Sequence, residues 1–365
     1  MRYRRSCSWL SLFLLLVPGC ADDGPAHPPA AQASWHFMAL DGLGPGTALL
    51  AVHFSGTHGV VLGARPGPMP SFVLGLGDDG TWTPRNTDDL PAGVNFRDLA
   101  VDAVDSVVLA GFATLGANPT RILDTRGPAG AAVVGPGLGL LTIDGENSFY
   151  VAGGFSRGGQ LWTSLDPGQW TADTLPLTGT NDSGFRDIDV RGDNAVACGF
   201  DDGADTLTVL LSRSTTTDWQ KIPLGGGQFG RTFRCVALSA TGDIFVGGIS
   251  GAGGLDPHPF LAVRSPGGDW TDVVLPAPEQ TGMVNDILLA SDGAIYLACS
   301  GEVGHELATI IRADGNGAAH EITPFRGELF QLAEGPDGKV YAVGLRRDGS
   351  GSIIETGVML VRDAP

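Results

Sequence analysis

Two segments of the chain place an arginine beside an aspartate directly after a phenylalanine: Phe96-Arg97-Asp98 and Phe185-Arg186-Asp187. Phe233-Arg234-Cys235 repeats the pattern with a thiol in place of the acid, and Val284-Asn285-Asp286 and Phe330-Gln331-Leu332 align with it further on. Guanidinium groups grip carboxylates bidentately, so Arg97, Arg186 and Arg234 could together ring an anionic ligand. Asp98, Asp187, Asn285 and Asp286 carry the hard oxygens that suit a cation such as calcium. The competing role is structural: Arg–Asp pairs could lock neighbouring units and satisfy buried backbone groups. Recurrence in several units favours that role, because a site is usually made by breaking a repeat.

Other charged groups are scattered through loops. Asp201, Asp202 and Asp205 form one cluster, Glu302, His305 and Glu306 another, and Arg346, Arg347 and Asp348 a third, with His258 alone. No helix fixes the geometry of Glu-x-x-His-Glu, so it reads as solvated charge. The chain has no Ser-His-Asp signature, no paired CxxC, no P-loop and no dinucleotide fingerprint.

The elements that must position these residues recur. A small residue ends the second of four short apolar runs at Gly63, Gly111, Gly154, Gly199, Gly248, Cys299 and Gly344, at intervals of 48, 43, 45, 49, 51 and 45 residues. That is the period of a four-stranded propeller blade. Trp82, Trp170, Trp219 and Trp270 each precede the next such residue by 29 positions. The stretch from the fourth strand of one unit to the second strand of the next is therefore constant. The variation falls between strands two and three, as in a scaffold that carries binding loops. In a propeller the first strand lines the central channel, and its start lies near the face bearing those loops. Trp35 stands 28 residues before Gly63, and the seventh unit lacks a fourth strand before the chain stops at Pro365. Trp35–Leu40 is therefore expected to complete the last blade, closing a ring without an open seam. The Asp-Gly pairs at 144–145, 292–293 and 337–338, and Gly242-Asp243, read as hairpin turns.

The turns before the tryptophans, GLGDDGTW at 75–82, SLDPGQW at 164–170, SRSTTTDW at 212–219 and RSPGGDW at 264–270, resemble degenerate Asp-boxes of the BNR and sialidase-like propellers. The resemblance covers four units and implies the fold. It does not imply sialidase chemistry, which uses a tyrosine nucleophile and an arginine triad. Tyr150, Tyr296 and Tyr341 share one strand-two position with Phe245, a core position, and Tyr3 lies in the leader.

Gly and Pro number 56 and 24 in 365 residues and punctuate short apolar runs, an all-β composition. The net charge of −18 argues against nucleic acid and against anionic membrane surfaces as partners. At the N-terminus, Arg2, Arg4 and Arg5 precede Leu10–Val17, an apolar run too short to span a bilayer. It ends in Val17-Pro18-Gly19-Cys20, which resembles a bacterial lipobox and implies lipidation of Cys20. Residues 1–20 are thus read as a signal peptide, 21–33 as a tether and 34–365 as one propeller domain. Ala21 is not the usual inner-membrane retention residue, so the outer membrane is the expected address. Cys198, Cys235 and Cys299 give no disulfide framework; they read as buried small hydrophobes, with a Cys198–Cys235 bridge as the alternative.

The expectation is a seven-bladed, all-β propeller, monomeric, exported and touching the membrane only through its lipid. Its expected role is non-catalytic, binding or scaffolding a protein or glycan at the envelope surface, with no cofactor. A structural or channel calcium ion stays open. The alternatives are a cation-dependent enzyme with a central-channel site, resembling lactonase-type propellers, and a purely structural lipoprotein.

Overall fold

The computed structural model describes residues 34–364 apart from 41, 68–69, 86–89, 91–92, 104–105, 114–119, 125–131, 134–138, 147–148, 158–159, 166–168, 178–181, 202–206, 225–230, 252–257, 277–281, 302–306, 316 and 348–354. The leader, Cys20 and the tether lie outside the described residues. Among those described, 28 strands, β1 to β28 in chain order, form seven antiparallel four-stranded blades. β1 (Trp35–Met38) comes first. The innermost strands are β2 (Ala48–Ser55), β6 (Val94–Ala103), β10 (Gly139–Glu146), β14 (Asp182–Arg191), β18 (Arg231–Leu238), β22 (Gly282–Leu289) and β26 (Phe325–Glu334). Each is followed by its second strand: β3 (His58–Ala64), β7 (Ser106–Ala113), β11 (Phe149–Arg157), β15 (Asn194–Asp201), β19 (Ile244–Ser250), β23 (Ile295–Gly301) and β27 (Val340–Arg347).

Blade seven takes its outer strand from the chain start. β1 runs antiparallel to β28 (Glu355–Arg362), pairing Trp35 with Arg362 and Met38 with Met359. Trp35 also stacks edge-on against Tyr296 of blade six, with ring centroids 6.3 Å apart. Deleting Trp35–Leu40 is expected to lower the melting temperature by about 5 °C and to promote oligomers, since the edge of β28 is then bare. An unchanged monomer with unchanged melting would contradict this role.

The core is divided among the seams. Strand side chains alternate between the two faces of a blade, so each blade feeds two clusters. Ala195 and Ala197 of β15 pack toward blade three, Val196 and Cys198 toward blade five. Seven such clusters occupy the seven junctions, including blade seven against blade one, where Val343 and Met359 meet Leu49 and Val52. Tyr150, Tyr296 and Tyr341 are buried in these seams, as their shared position predicts. Cys198, Cys235 and Cys299 are buried free thiols, without the bridge held open above.

Every innermost strand carries one β-bulge at the same place: Leu50, Arg97, Leu141, Arg186, Arg234, Asn285 and Phe330 are the extra residues. The residue before each bulge pairs with Gly63, Gly111, Gly154, Gly199, Gly248, Cys299 or Gly344, the seven periodic marks. The bulge pushes backbone toward these positions. A Cβ on Gly154, Gly199 or Gly344 would stand 2.0 Å from the carbonyl oxygen of Gly139, Gly184 or Glu328. In five blades the periodic mark is therefore a backbone-clearance requirement, while Gly63 clears the Phe72 ring and blade six accommodates Cys299.

The turns at 239–243, 290–294 and 335–339 share one form, with Gly242, Gly293 and Gly338 at φ 86°, 81° and 74°. Asp144-Gly145 departs from the expected turn. Both residues lie inside β10, paired with Val151 and Tyr150. The fixed tryptophan frame also has a cause. Trp219 Nε1 donates to Asp173 of blade three at 2.9 Å, and Trp270 Nε1 to the Pro223 carbonyl of blade four at 3.1 Å. Trp219 and Trp270 thus tie their blades to the one before by hydrogen bonds, whereas Trp82 does so by packing against Tyr341 of blade seven. At the first of these ties Asp173 also accepts from Arg213, a largely buried ion pair at 2.9 Å.

Candidate functional site

An innermost strand bonds to its own second strand along one edge only. Its other edge faces the central channel, leaving a row of N–H donors that need partners. Side chains of the preceding blade supply them, at two levels. Immediately after the bulge, Asp98 accepts from Ile143 N at 3.0 Å, Asp187 from Val236 N at 2.7 Å and Asp286 from Leu332 N at 2.6 Å. Gln331 does the same for Val52 N at 2.6 Å, across the junction that closes the ring. Two residues further on, Asp144 accepts from Val190 N at 2.6 Å, and Asp189 from Leu238 N. In blade five Cys235 occupies the acid's place, its thiol 3.7 Å from the Val284 carbonyl.

The five aspartates and Gln331 line a cavity of about 270 Å³ on the channel axis, together with His53, Arg191 and Glu334. The void is open on one side and these acids are partly exposed to it, but strands of adjacent blades crowd each carboxyl and leave its charged form less well solvated than in free water. Burial pushes Asp98 and Asp144 up to about 6, Asp286 to about 7 and Asp189 to about 8. Asp187 is raised well above the carboxylate range by burial and then by the charge of Asp286. Accepted backbone N–H bonds hold these values down in part. The charge of Asp144 raises Asp189 further. Burial alone lowers His53 to about 4. Among the described residues no three His, Cys, Asp or Glu side chains converge as metal ligands would.

The arginines stand apart from the acids that adjoin them in sequence. Arg97 and Arg186 fill the bulge and lie over Phe112 and Phe200 of their own blades, 5.6 and 5.7 Å from the ring centroids. Among the described residues Arg97, Arg186 and Arg234 form no ion pair, with Asp98 and Asp187 or with any other carboxylate. The expected Arg–Asp locks are thus replaced by Asp-to-backbone locks that leave the arginines out. Asn285, at the same position in blade six, donates to Ser300 and to the Leu329 carbonyl at 2.8 Å, bridging blades six and seven. In blade seven the register corrects the expected alignment by one residue. Phe330 is the bulge residue and Gln331 corresponds to the aspartates.

Asp144, Asp189 and His53 are the channel residues that sequence reasoning missed. Their signal is period two counted from the bulge: each lies two residues beyond Thr142, Asp187 or Ala51. Of the loop residues noted above, Asp201 is buried and bonded to Ser183 and Lys221, and Arg347 pairs with Glu328 and Glu355. Residues 202, 205, 302, 305, 306 and 348 lie outside the described residues.

Fold and channel together define a seven-bladed β-propeller in which carboxylates staple the inner strands at four of the seven junctions. No family model and no curated protein matches the sequence. Among solved structures the chain is similar to YCF48 bound to a D1 peptide, with TM-score 0.59 and 13% identity over 91% of this chain and 97% of that one. It is also similar to puromycin hydrolase, with TM-score 0.51 and 16% identity, covering 82% of this chain and half of that one. At these identities the likeness is one of fold.

Proposed function

We propose that the protein is an exported, lipid-anchored, non-catalytic propeller that binds a protein or glycan partner at the envelope surface. The supporting observation is where the reactive groups are spent. The channel carboxylates accept from backbone N–H groups of the next blade and so hold the ring. What differs from blade to blade is the connection between strands two and three. These connections and the entries to the innermost strands share one face, because each second strand runs antiparallel to the first. Residues from several blades converge there, the arrangement of a binding face. A fold shared with a propeller bound to a peptide is consistent with this reading.

Two experiments test it. Cys20→Ser should leave a soluble or unprocessed protein in place of a membrane-fraction one; unchanged detergent partitioning would count against the anchor. Photo-crosslinkers at exposed Pro66 and His258, on the proposed face, should capture a partner in intact cells. The same group at exposed Thr241 or Asp337, in the first-to-second-strand turns of the opposite face, should not. Equal yields from both faces would reject the binding face.

A further inference from the structure

Among the described residues no carboxylate forms an ion pair with the bulge arginines. The Nε atoms of Arg186 and Arg234 are buried and have no acceptor. Burial lowers the pKa of Arg97, Arg186 and Arg234, and Arg234 further lowers that of Arg186, so those two guanidinium groups lie close enough to repel. Glu328 is within electrostatic reach of Arg234, but Arg347 holds its carboxylate at 2.8 Å. Stacking on Phe112 and Phe200 offsets part of the desolvation cost and leaves the donor forks open. Arg97 is exposed and keeps its water, whereas the half-buried Arg186 and Arg234 hold orphan Nε donors, a cost that a ligand would offset.

Resting on the binding face proposed above, we propose that Arg97, Arg186 and Arg234 form an anion site at the entry end of the channel that takes an acidic peptide segment of the partner. Three features select this ligand. Arg97 belongs to blade two and Arg186 and Arg234 to blades four and five, so one small anion such as phosphate does not engage all three. Leu141 fills the same position in blade three, between Arg97 and Arg186, and Leu50 does so in blade one. An order of leucine, arginine, leucine, arginine, arginine around the ring matches a segment that alternates carboxylates with apolar side chains. No bulge position carries Trp or Tyr, the flat faces on which sugar rings stack.

The probe is a fluorescein-labelled, end-blocked Glu-Leu-Glu-Glu-Leu-Glu peptide, read by anisotropy against the full chain in detergent. The chain's net charge of −18 repels this peptide at long range, so saturable binding reports a local site. The wild type should bind it and not its Gln-for-Glu counterpart. The variant Arg186→Gln/Arg234→Gln should weaken binding by about tenfold or more. It should melt at or above the wild-type temperature, since no ion pair among the described residues is lost and one repulsion is removed. Peptide should raise the melting temperature of the wild type only. Peptide binding that is absent, or unchanged in the variant, would overturn the proposal, as would a variant that melts several degrees lower. Arginine-dependent binding of oligogalacturonate or inorganic phosphate in place of the peptide would overturn the peptide assignment. Crosslinks from Pro66 and His258 that persist in the variant would retain the binding face and reject its anion site. Arginine-dependent peptide binding without those crosslinks would do the reverse.

Discussion

Gly199→Ala is expected to destabilise the protein by about 3–5 kcal/mol. The new Cβ would stand 2.0 Å from the Gly184 carbonyl oxygen and 2.9 Å from Phe185 Cα. Both are backbone atoms, so no rotamer change relieves the contact. β14 and β15 would have to separate at the bulge, moving Asp187 off the Val236 N–H that it holds at 2.7 Å. Gly192 is the control. Its Cβ would meet open space, and only its φ of 58° opposes a side chain, at a cost of about 1 kcal/mol. Urea unfolding of the two variants measures the difference; a loss below about 1 kcal/mol at Gly199 would mean that the bulge yields.

Stability is expected to fall as pH rises from about 5 to about 8, the reverse of ordinary acid denaturation. The channel carboxyls titrate higher in the folded state than in the unfolded chain. Over that window the folded protein therefore holds more protons, and raising the pH favours unfolding. A single carboxyl moved from 3.8 to about 6 costs about 3 kcal/mol once both states are ionised. Five such groups share one channel, with Asp189, at about 8, titrating at the upper edge. His53 works in the opposite sense: neutral in the fold until about pH 4, it withdraws stability as pH falls below its usual 6.5. It is one group against five. Asp189→Asn should flatten the decline between pH 7 and pH 8, provided that the amide keeps the Leu238 N–H bond through its carbonyl oxygen. Melting at pH 8 equal to or above that at pH 5 would refute the low solvation assigned to these acids.

The architecture was legible because its repeating constraint is steric. Only a small residue fits opposite the bulge, so the period survives although loops and side chains diverge. The constant spacing before each mark also survives, and the tryptophans where it begins, Trp219 and Trp270, are themselves anchored to the blade before. The site was less legible because neighbours in a strand are not neighbours in space. Arg186 and Asp187 adjoin in sequence, yet one lies over Phe200 and the other reaches Val236 of the next blade. An Arg–Asp dipeptide therefore suggested an ion pair that the pleat forbids. Asp144 was hidden by Gly145, whose usual meaning in a turn masked a strand residue facing the channel. The one-residue slip at Phe330 has a similar origin, since an aromatic at a strand start looks alike on either side of a bulge.

The pairing of β1 with β28 sets an order on assembly. Blades one to six are built from consecutive hairpins and depend on neither end of the chain. Blade seven joins residues from both ends: Trp35 pairs with Arg362, and Gly357 N donates to Thr47 across 310 positions. Contacts of such sequence separation form late, because the entropy of closing the intervening loop is spent before any of them is gained. Each copy therefore passes through an open arc, with the channel donors of its first inner strand uncovered until Gln331 arrives. A chain lacking only β28 would keep Gln331 but lose Met359 and the strand that β1 pairs with, leaving the closing blade with two strands.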